Sequence, residues 1–402
     1  MLTMNRTLSL ILFFFHTAAA LITSPQGTSK SGSTWKFRDQ FDIHTEVHYP
    51  SKVTEINFLD KLFNSNKKTK PNVVLVHGFG CSTTYWRATI AKLIENGYPV
   101  HAIDLLGQGK SAKPGRSQGI EYSIPLWAEV VDSYVQENIP QLNNDNNKDV
   151  VLVGNSLGSL VALTAATGDH HHATTTSTST YPTTNTNISI SNRVKGICMF
   201  NCGVGLNSRG IAREPTRSAA TKFAINALYD LLVLLIFNNR PLLEYALKNI
   251  VTRQLLEQIL QSLYICRPDR VDDELVESFF LPAQDEGSVE TLSQIYCNDP
   301  GKTPFDLHAE YGGTAPLKDM PIHLVWGNAD KVTPLEGGVG QFYLQLAKGS
   351  ASTTVEDEEE ESSSSSFVSM RVLDGGHVPF DDNFVESNDE LVAWLDEVVI
   401  VG

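Results

Sequence analysis

An α/β protein with a mostly parallel central sheet, flanked by helices on both faces, is what this sequence predicts. Three observations carry that expectation. Short runs rich in Val, Ile and Leu recur without polar alternation, as strands buried on both faces require. Between most of them lie segments with apolar residues at three- and four-residue spacing, which gives the strand–helix rhythm of a parallel sheet. The rhythm stops from Gly203 to about Lys318 and then resumes for two last strands, so a helical block is inserted before them. Composition agrees. In 402 residues, 41% hydrophobic and 19% charged, neither a disordered nor a collagen-like chain fits. A net charge of −15 argues against nucleic acid or an anionic membrane surface as the main partner.

The elements follow in chain order. Residues 1–20 combine Arg6, an apolar run from Leu8 to Phe15 and the small residues Ala18 to Ala20, the pattern of a secretory signal peptide. That run is shorter than the roughly 20 residues of a membrane span. Residues 21–38 are rich in Ser, Thr and Gly and carry Lys30, Lys36 and Arg38 but no acid, which is transit-peptide composition. Together they resemble the two-part presequence of algae whose plastids lie inside extra membranes. A plastid destination is expected, with secretion as the alternative, and the fold is expected to begin at residue 39.

Residues 39–202 form the first part of the core. Ile43–Tyr49 and Val53–Phe58 alternate and predict an antiparallel pair at the sheet edge. Val73–His77, Val100–Asp104, Val150–Val153 and Ile197–Phe200 predict buried strands, with helices over Trp86–Asn96, Pro125–Asn138 and Ser159–Thr167. Residues 203–318 read as a helical lid, with helices over Ala219–Phe237, Leu242–Arg253, Leu255–Ile265, Asp272–Phe280 and Ser288–Tyr296. The continuous apolar run Leu231–Phe237 suits a buried helix or a lining for a greasy ligand. Residues 319–402 complete the core with strands at Ile322–Trp326 and Met370–Leu373, separated by a disordered acidic loop at 350–366. The tract Gly168–Ser191 holds His170-His171-His172. No spaced Cys or carboxylate accompanies them, so it reads as a solvated insertion rather than a metal site. Five scattered cysteines, none in C-x-x-C, read as free thiols.

The chemistry centres on Gly154-Asn155-Ser156-Leu157-Gly158, directly after a buried strand and before a helix. This is G-x-S-x-G in the strand–turn–helix setting that exposes a nucleophilic serine. A serine hydroxyl needs a base, and the base needs an orienting acid. Asp330 follows the strand Ile322–Trp326, and His377 follows the last strand after Gly375-Gly376, so Ser156, Asp330 and His377 stand in hydrolase order. Asp374, three residues before His377, is the rival orienter. An oxyanion is expected to be held by the Leu157 N–H and by the N–H of Phe79 in His77-Gly78-Phe79-Gly80. His44 and His48 lie on a strand-like edge without H-E-x-x-H, so neither a metal nor a cofactor is expected.

Val-His-Gly-Phe-Gly (76–80), Asp-Leu-Leu-Gly-Gln-Gly-Lys-Ser (104–111), Gly-Asn-Ser-Leu-Gly (154–158), Trp-Gly-Asn-Ala-Asp (326–330) and Gly-His-Val-Pro (376–379) resemble the recurrent motifs of the α/β-hydrolase superfamily, over about Trp35 to Val399. Within it, Tyr85-Trp86-Arg87, Ile103 to Gly109, Asp381-Asp382, Val271-Asp272-Asp273 and Pro282-Ala283 resemble plant and algal plastid hydrolases that include pheophytinase and chlorophyll dephytylase. Val378-Pro379 departs from the Cys-Pro usual in that group, and Ser159 stands where it commonly has a further glycine. The resemblance implies hydrolysis of the phytyl ester of a chlorophyll derivative, a small hydrophobic ester, in loose association with plastid membranes. A C–C bond hydrolase or cofactor-free peroxidase uses the same three residues, and a non-enzymatic ligand receptor is the alternative of a different class. Epoxide hydrolases and haloalkane dehalogenases need a carboxylate where Ser156 stands.

Overall fold

The apolar runs pair into one eight-stranded sheet in the computed structural model, which describes residues 32–50, 70–139, 149–174, 189–352 and 367–399. The strands are β1 (Gly32–Phe37), β2 (Phe41–His48), β3 (Asn72–Val76), β4 (Val100–Ile103), β5 (Val150–Asn155), β6 (Val194–Phe200), β7 (Ile322–Gly327) and β8 (Val368–Leu373). Their order is β1-β2-β4-β3-β5-β6-β7-β8. β2 runs antiparallel to both neighbours, and every pairing from β4 to β8 is parallel. β3, β4, β5 and β7 are buried along their whole length, which is why their sequences do not alternate.

Helices α1 (Arg87–Glu95), α2 (Ile124–Asn138), α3 (Leu157–Thr167) and α4 (Asp169–Thr174) lie between the first six strands. The insertion between β6 and β7 supplies α5 (Ala219–Leu232, continued as a wider turn to Phe237), α6 (Arg240–Asn249), α7 (Arg253–Leu263), α8 (Asp273–Ala283), α9 (Ser288–Cys297) and α10 (Pro304–Tyr311). The chain closes with α11 (Gly338–Ser352), the short α12 (Pro379–Asp382) and α13 (Phe384–Trp394). Two apolar clusters cover the two faces of the sheet. One gathers Trp127, Val131, Leu160, Leu163 and Tyr343 from α2, α3 and α11, and the other Trp86, Leu93, Phe380, Leu391 and Trp394 from the α1 and α13 side.

Three expectations change. Gly32–Phe37, read as presequence, is edge strand β1, so the sheet includes residues upstream of 39. Trp35 Nε1 donates to Glu137 Oε2 at 2.8 Å, its ring meets Tyr134 edge-on, and Phe37 is fully buried. The partner of β2 at the edge is therefore β1, and Val53–Phe58 lies outside the described residues. The His-rich tract begins not in solvent but against the core, with His170 buried and Asp169 accepting from Lys302 Nζ (2.5 Å) and Tyr311 Oη (2.9 Å). Finally, Leu231–Phe237 is not a buried helix. It ends a 19-residue apolar helix of which only 6% is buried.

Candidate active site

The sheet order reverses between β3 and β5, because the chain leaves β3 for β4 on one side and lays β5 on the other. At such a reversal the loops from the C-terminal strand ends part, and open α/β sheets usually bind ligands in the crevice between them. Ser156 follows β5 at that crevice, and His77-Gly78 follows β3 beside it.

Ser156 occupies φ 52°, ψ −119°, a region an L-residue enters at a cost of about 1–3 kcal/mol. The surroundings enforce it. Ser156 N donates to the Phe200 carbonyl and Gly203 N to the Ser156 carbonyl, each at 2.9 Å. Gly158 must be glycine, because a Cβ there would come within 2.1 Å of the Val76 carbonyl oxygen. The turn thus leaves the Ser156 side chain half-buried at the end of the strand, ahead of a helix that starts at Leu157.

His377 lies in the loop after β8, and its Nδ1 bonds Asp330 Oδ2 at 2.8 Å. A carboxylate only accepts, so Nδ1 carries a proton, and in the neutral ring Nε2 then holds the lone pair, the tautomer a general base needs. The rival Asp374 is turned away, its Oδ1 accepting from Asn328 Nδ2 at 2.6 Å. Asp330 is buried, and burial alone would raise its carboxyl. The charge of His377, and hydrogen bonds from His377, Thr333 and Asn201, outweigh that and hold it below the usual carboxylate range. Asn201 is a residue that the sequence reading missed. Fully buried at φ 47° after β6, it donates from Nδ2 to Asp330 Oδ2 (2.5 Å) and accepts the Gly327 N–H at Oδ1 (3.1 Å). Its signal was there: a polar residue after the buried strand that neighbours β7.

Two further links bind His377 to distant parts of the chain. Asn155, beside Ser156, donates from Nδ2 to the His377 carbonyl at 3.2 Å. His377 N donates to the Leu263 carbonyl at 3.1 Å, and Gly376 packs so tightly on that carbonyl that any Cβ would collide with it. Asp382, fully buried, accepts from Gly376 N (2.7 Å), Ile265 N (2.9 Å), Cys266 N (2.8 Å) and Arg267 N (2.8 Å). Asp381, equally buried, accepts from Tyr264 Oη at 2.7 Å and pairs with Arg270 and Arg87. The acid pair after the histidine therefore fastens the insertion to the His377 loop.

The two proposed oxyanion donors sit where backbone geometry can aim them. Leu157 is the first residue of α3, so its N–H has no acceptor within the helix. The Phe79 N–H is set by its own peptide plane. His77 Nε2 accepts from Leu105 N at 3.0 Å, so its Nδ1–H donates to the Gly78 carbonyl at 2.7 Å. In a trans peptide the N–H of Phe79 points opposite that carbonyl, so pinning one fixes the other. Burial lowers the His77 pKa and keeps it neutral for this structural task. Gln108 closes the loop, its Oε1 accepting from Gly80 N at 2.6 Å. Above it lie rings of the insertion: Tyr296 meets Phe79 edge-on at 5.9 Å, and a Cβ on Gly80 would meet the Phe279 ring at 3.9 Å.

Asp132 supplies the carboxylate that sequence spacing did not show beside His170 and His171. Donor atoms of the three lie within 4.8 Å of one another. Both Asp132 oxygens already hold donors, Ile190 N at 2.8 Å and Gln136 Nε2 at 2.5 Å, which fits a clamp on the turn before β6. His44 and His48 flank Glu46 on β2, with His48 Nε2 3.3 Å from Glu46 Oε2. Cys81, Cys198 and Cys202 are buried free thiols, and burial pushes Cys81 up to about 12.

A sheet with this order, a strained serine after β5 and a histidine–aspartate pair after β8 and β7 together define a hydrolase-fold protein. The chain belongs to the α/β hydrolase family, whose profile matches residues 73–394. It is 32% identical over 105 residues to an Arabidopsis thaliana protein named probable lysophospholipase BODYGUARD 2, covering 25% of this chain and 20% of that one. It is 33% identical over 101 residues to human 1-acylglycerol-3-phosphate O-acyltransferase ABHD5, covering 25% and 26%. The chain thus spans about a fifth to a quarter of the length of these curated relatives. Among solved structures, a laboratory-evolved variant of potato epoxide hydrolase superposes with a TM-score of 0.58 at 14% identity, covering 92% of this chain and all of that one. An esterase from Exiguobacterium antarcticum superposes with a TM-score of 0.51 at 16% identity, covering 91% and 100%. At such identities the superpositions establish the fold.

Proposed function

We propose that this chain hydrolyses carboxylic esters of hydrophobic compounds through an acyl-enzyme on Ser156. The observation that carries this reading is the strained Ser156 turn, tied through Asn155 to a His377 whose Nδ1 is held by Asp330. Ser156 Oγ attacks the ester carbonyl while His377 Nε2 takes its proton. The Phe79 and Leu157 N–H groups stabilise the oxyanion, and His377 returns the proton to the leaving alcohol. Water, activated by the same imidazole, then frees the acid. Asp330 stays ionised throughout and stabilises the imidazolium, as its lowered pKa supports. No metal or cofactor enters these steps.

For the substrate we propose an ester carrying one long apolar chain. The motif resemblance supports the phytyl ester of a chlorophyll derivative, and the names of the Arabidopsis relatives support a lysophospholipid. Both present the same feature, one greasy chain on a scissile ester. We further propose delivery to a plastid by a routing segment that ends upstream of Gly32, since β1 is part of the sheet. The test incubates the protein and its Ser156→Ala variant with pheophytin, lysophosphatidylcholine and p-nitrophenyl butyrate. Turnover by the wild type alone is expected, and equal turnover by the variant would remove Ser156 from the reaction. Cleavage of the butyrate alone would retain the esterase and discard the long-chain substrate.

A further inference from the structure

Helix α5 and its continuation, Ala219–Phe237, are predominantly apolar, with Thr221, Lys222, Asn226 and Asp230 as their polar residues, yet only one side meets protein. Tyr229 and Val233 face inward, and Tyr229 Oη donates to the Tyr296 carbonyl at 3.0 Å. The outer side carries Phe223 (75% exposed), Ala227, Leu228, Leu231 (50%), Leu234 (69%) and Leu235 (56%) at three- and four-residue spacing, so they form one stripe. An exposed stripe of this kind marks an interaction surface.

We infer that this stripe lies flat on an uncharged or zwitterionic lipid surface and seats the protein there. Three observations favour lipid over a second protein. None of the six side chains carries a hydrogen-bonding group, whereas a protein interface uses about one hydrogen bond per 100–200 Å²; fluid hydrocarbon demands none. Asp230, the one acid of the helix, lies beside the stripe rather than in it and is paired with Arg209 at 2.5 Å, which offsets its charge. The inner contacts hold the helix along the protein surface, as an in-plane helix requires. The net charge of −15 selects against an anionic surface, so the attraction is hydrophobic. The end of the helix also leads to the site. Phe237 stacks on Tyr296 at 4.0 Å, and Tyr296 meets Phe79. An ester drawn from the lipid layer would pass one aromatic layer before reaching Ser156. That passage rests on the ester-hydrolase reading; the docking itself does not.

The experiment floats the full chain with phosphatidylcholine vesicles, beside a Leu231→Glu/Leu235→Glu variant, with hydrogen exchange of residues 219–237 followed in each. Two charges in place of two apolar contacts are expected to weaken partition at least about tenfold. Added salt should leave wild-type binding unchanged, exchange in α5 should slow on vesicles, and p-nitrophenyl butyrate hydrolysis should be equal in both proteins. Equal flotation of the two proteins with no slowing of exchange in α5 would overturn the inference. So would a wild-type dimer that the variant abolishes without vesicle binding, which would assign the stripe to a second copy. Vesicle binding without any esterase activity would leave the docking standing and remove the hydrolase reading instead.

Discussion

Around His377 the buried polar groups are bonded several times over, while along α5 large apolar side chains stand in solvent. Asp330 accepts from His377, Asn201, Thr333 and the Val332 N–H, and Asp382 holds four backbone N–H groups. Such networks fix geometry, because releasing one member leaves buried charge unpaired. The outer stripe of α5 makes no comparable demand, and lipid is the partner we infer for it. The insertion that carries α5 is fastened to the site by a strap at Leu263–Arg267, whose backbone bonds His377 and Asp382.

The comparison breaks first at the nucleophile. Ser156→Ala is expected to lower kcat for p-nitrophenyl butyrate by about 10⁴–10⁶-fold with an unchanged circular dichroism spectrum. Asp330→Asn should cost about 10⁴-fold by favouring the wrong tautomer, and Asp374→Asn should leave the rate as it was. If the two aspartates exchanged these effects, the orienting role would belong to Asp374.

Removing the strap's anchor comes next. Asp382→Ala removes the acceptor of four backbone N–H groups, one of them buried and three part-buried, and denaturant unfolding should show a loss of about 2–4 kcal/mol. The rate should fall with it, since Gly376 loses a partner beside His377. Wild-type stability with a normal rate would sever the insertion from the site.

Acid gives a comparable effect by another route. Burial lowers His101 and His308 to about 4 each. Between about pH 6.5 and 4 the unfolded chain binds protons that the folded chain refuses, so stability falls as pH falls through that window. On the order of 3 kcal/mol for each histidine is expected by pH 4, read from denaturation midpoints at pH 7, 5.5 and 4. Asp330 acts lower. Its depressed pKa contributes stability present above the usual carboxylate range, lost as pH drops through the folded value. The smallest effect belongs to the exposed stripe, where Leu234→Ser should change stability by no more than about 0.5 kcal/mol.

Much of the site was legible because its signals are local. A serine between close-packed glycines after a buried strand, and an acid and a histidine each placed just beyond a later strand, need only neighbouring residues to be recognised. Asn201 and Asp382 act across more than a hundred residues of chain, on Asp330 and on the 265–267 strap, and no local pattern announces that. β1 was misread because a basic, Ser-rich stretch without acids looks the same in a transit segment as on a solvated sheet edge. Leu231–Phe237 showed its apolarity but not its covering, since periodicity records which residues avoid water and not what shields them.

The central claim is that His377, held by Asp330, makes Ser156 nucleophilic. Reaction of the intact protein with a fluorophosphonate, followed by peptide mapping, tests it directly. One phosphonyl group is expected on the Ser156 peptide, absent in Ser156→Ala and formed orders of magnitude more slowly in His377→Ala. Labelling of another residue, or equal rates with and without His377, would contradict the account.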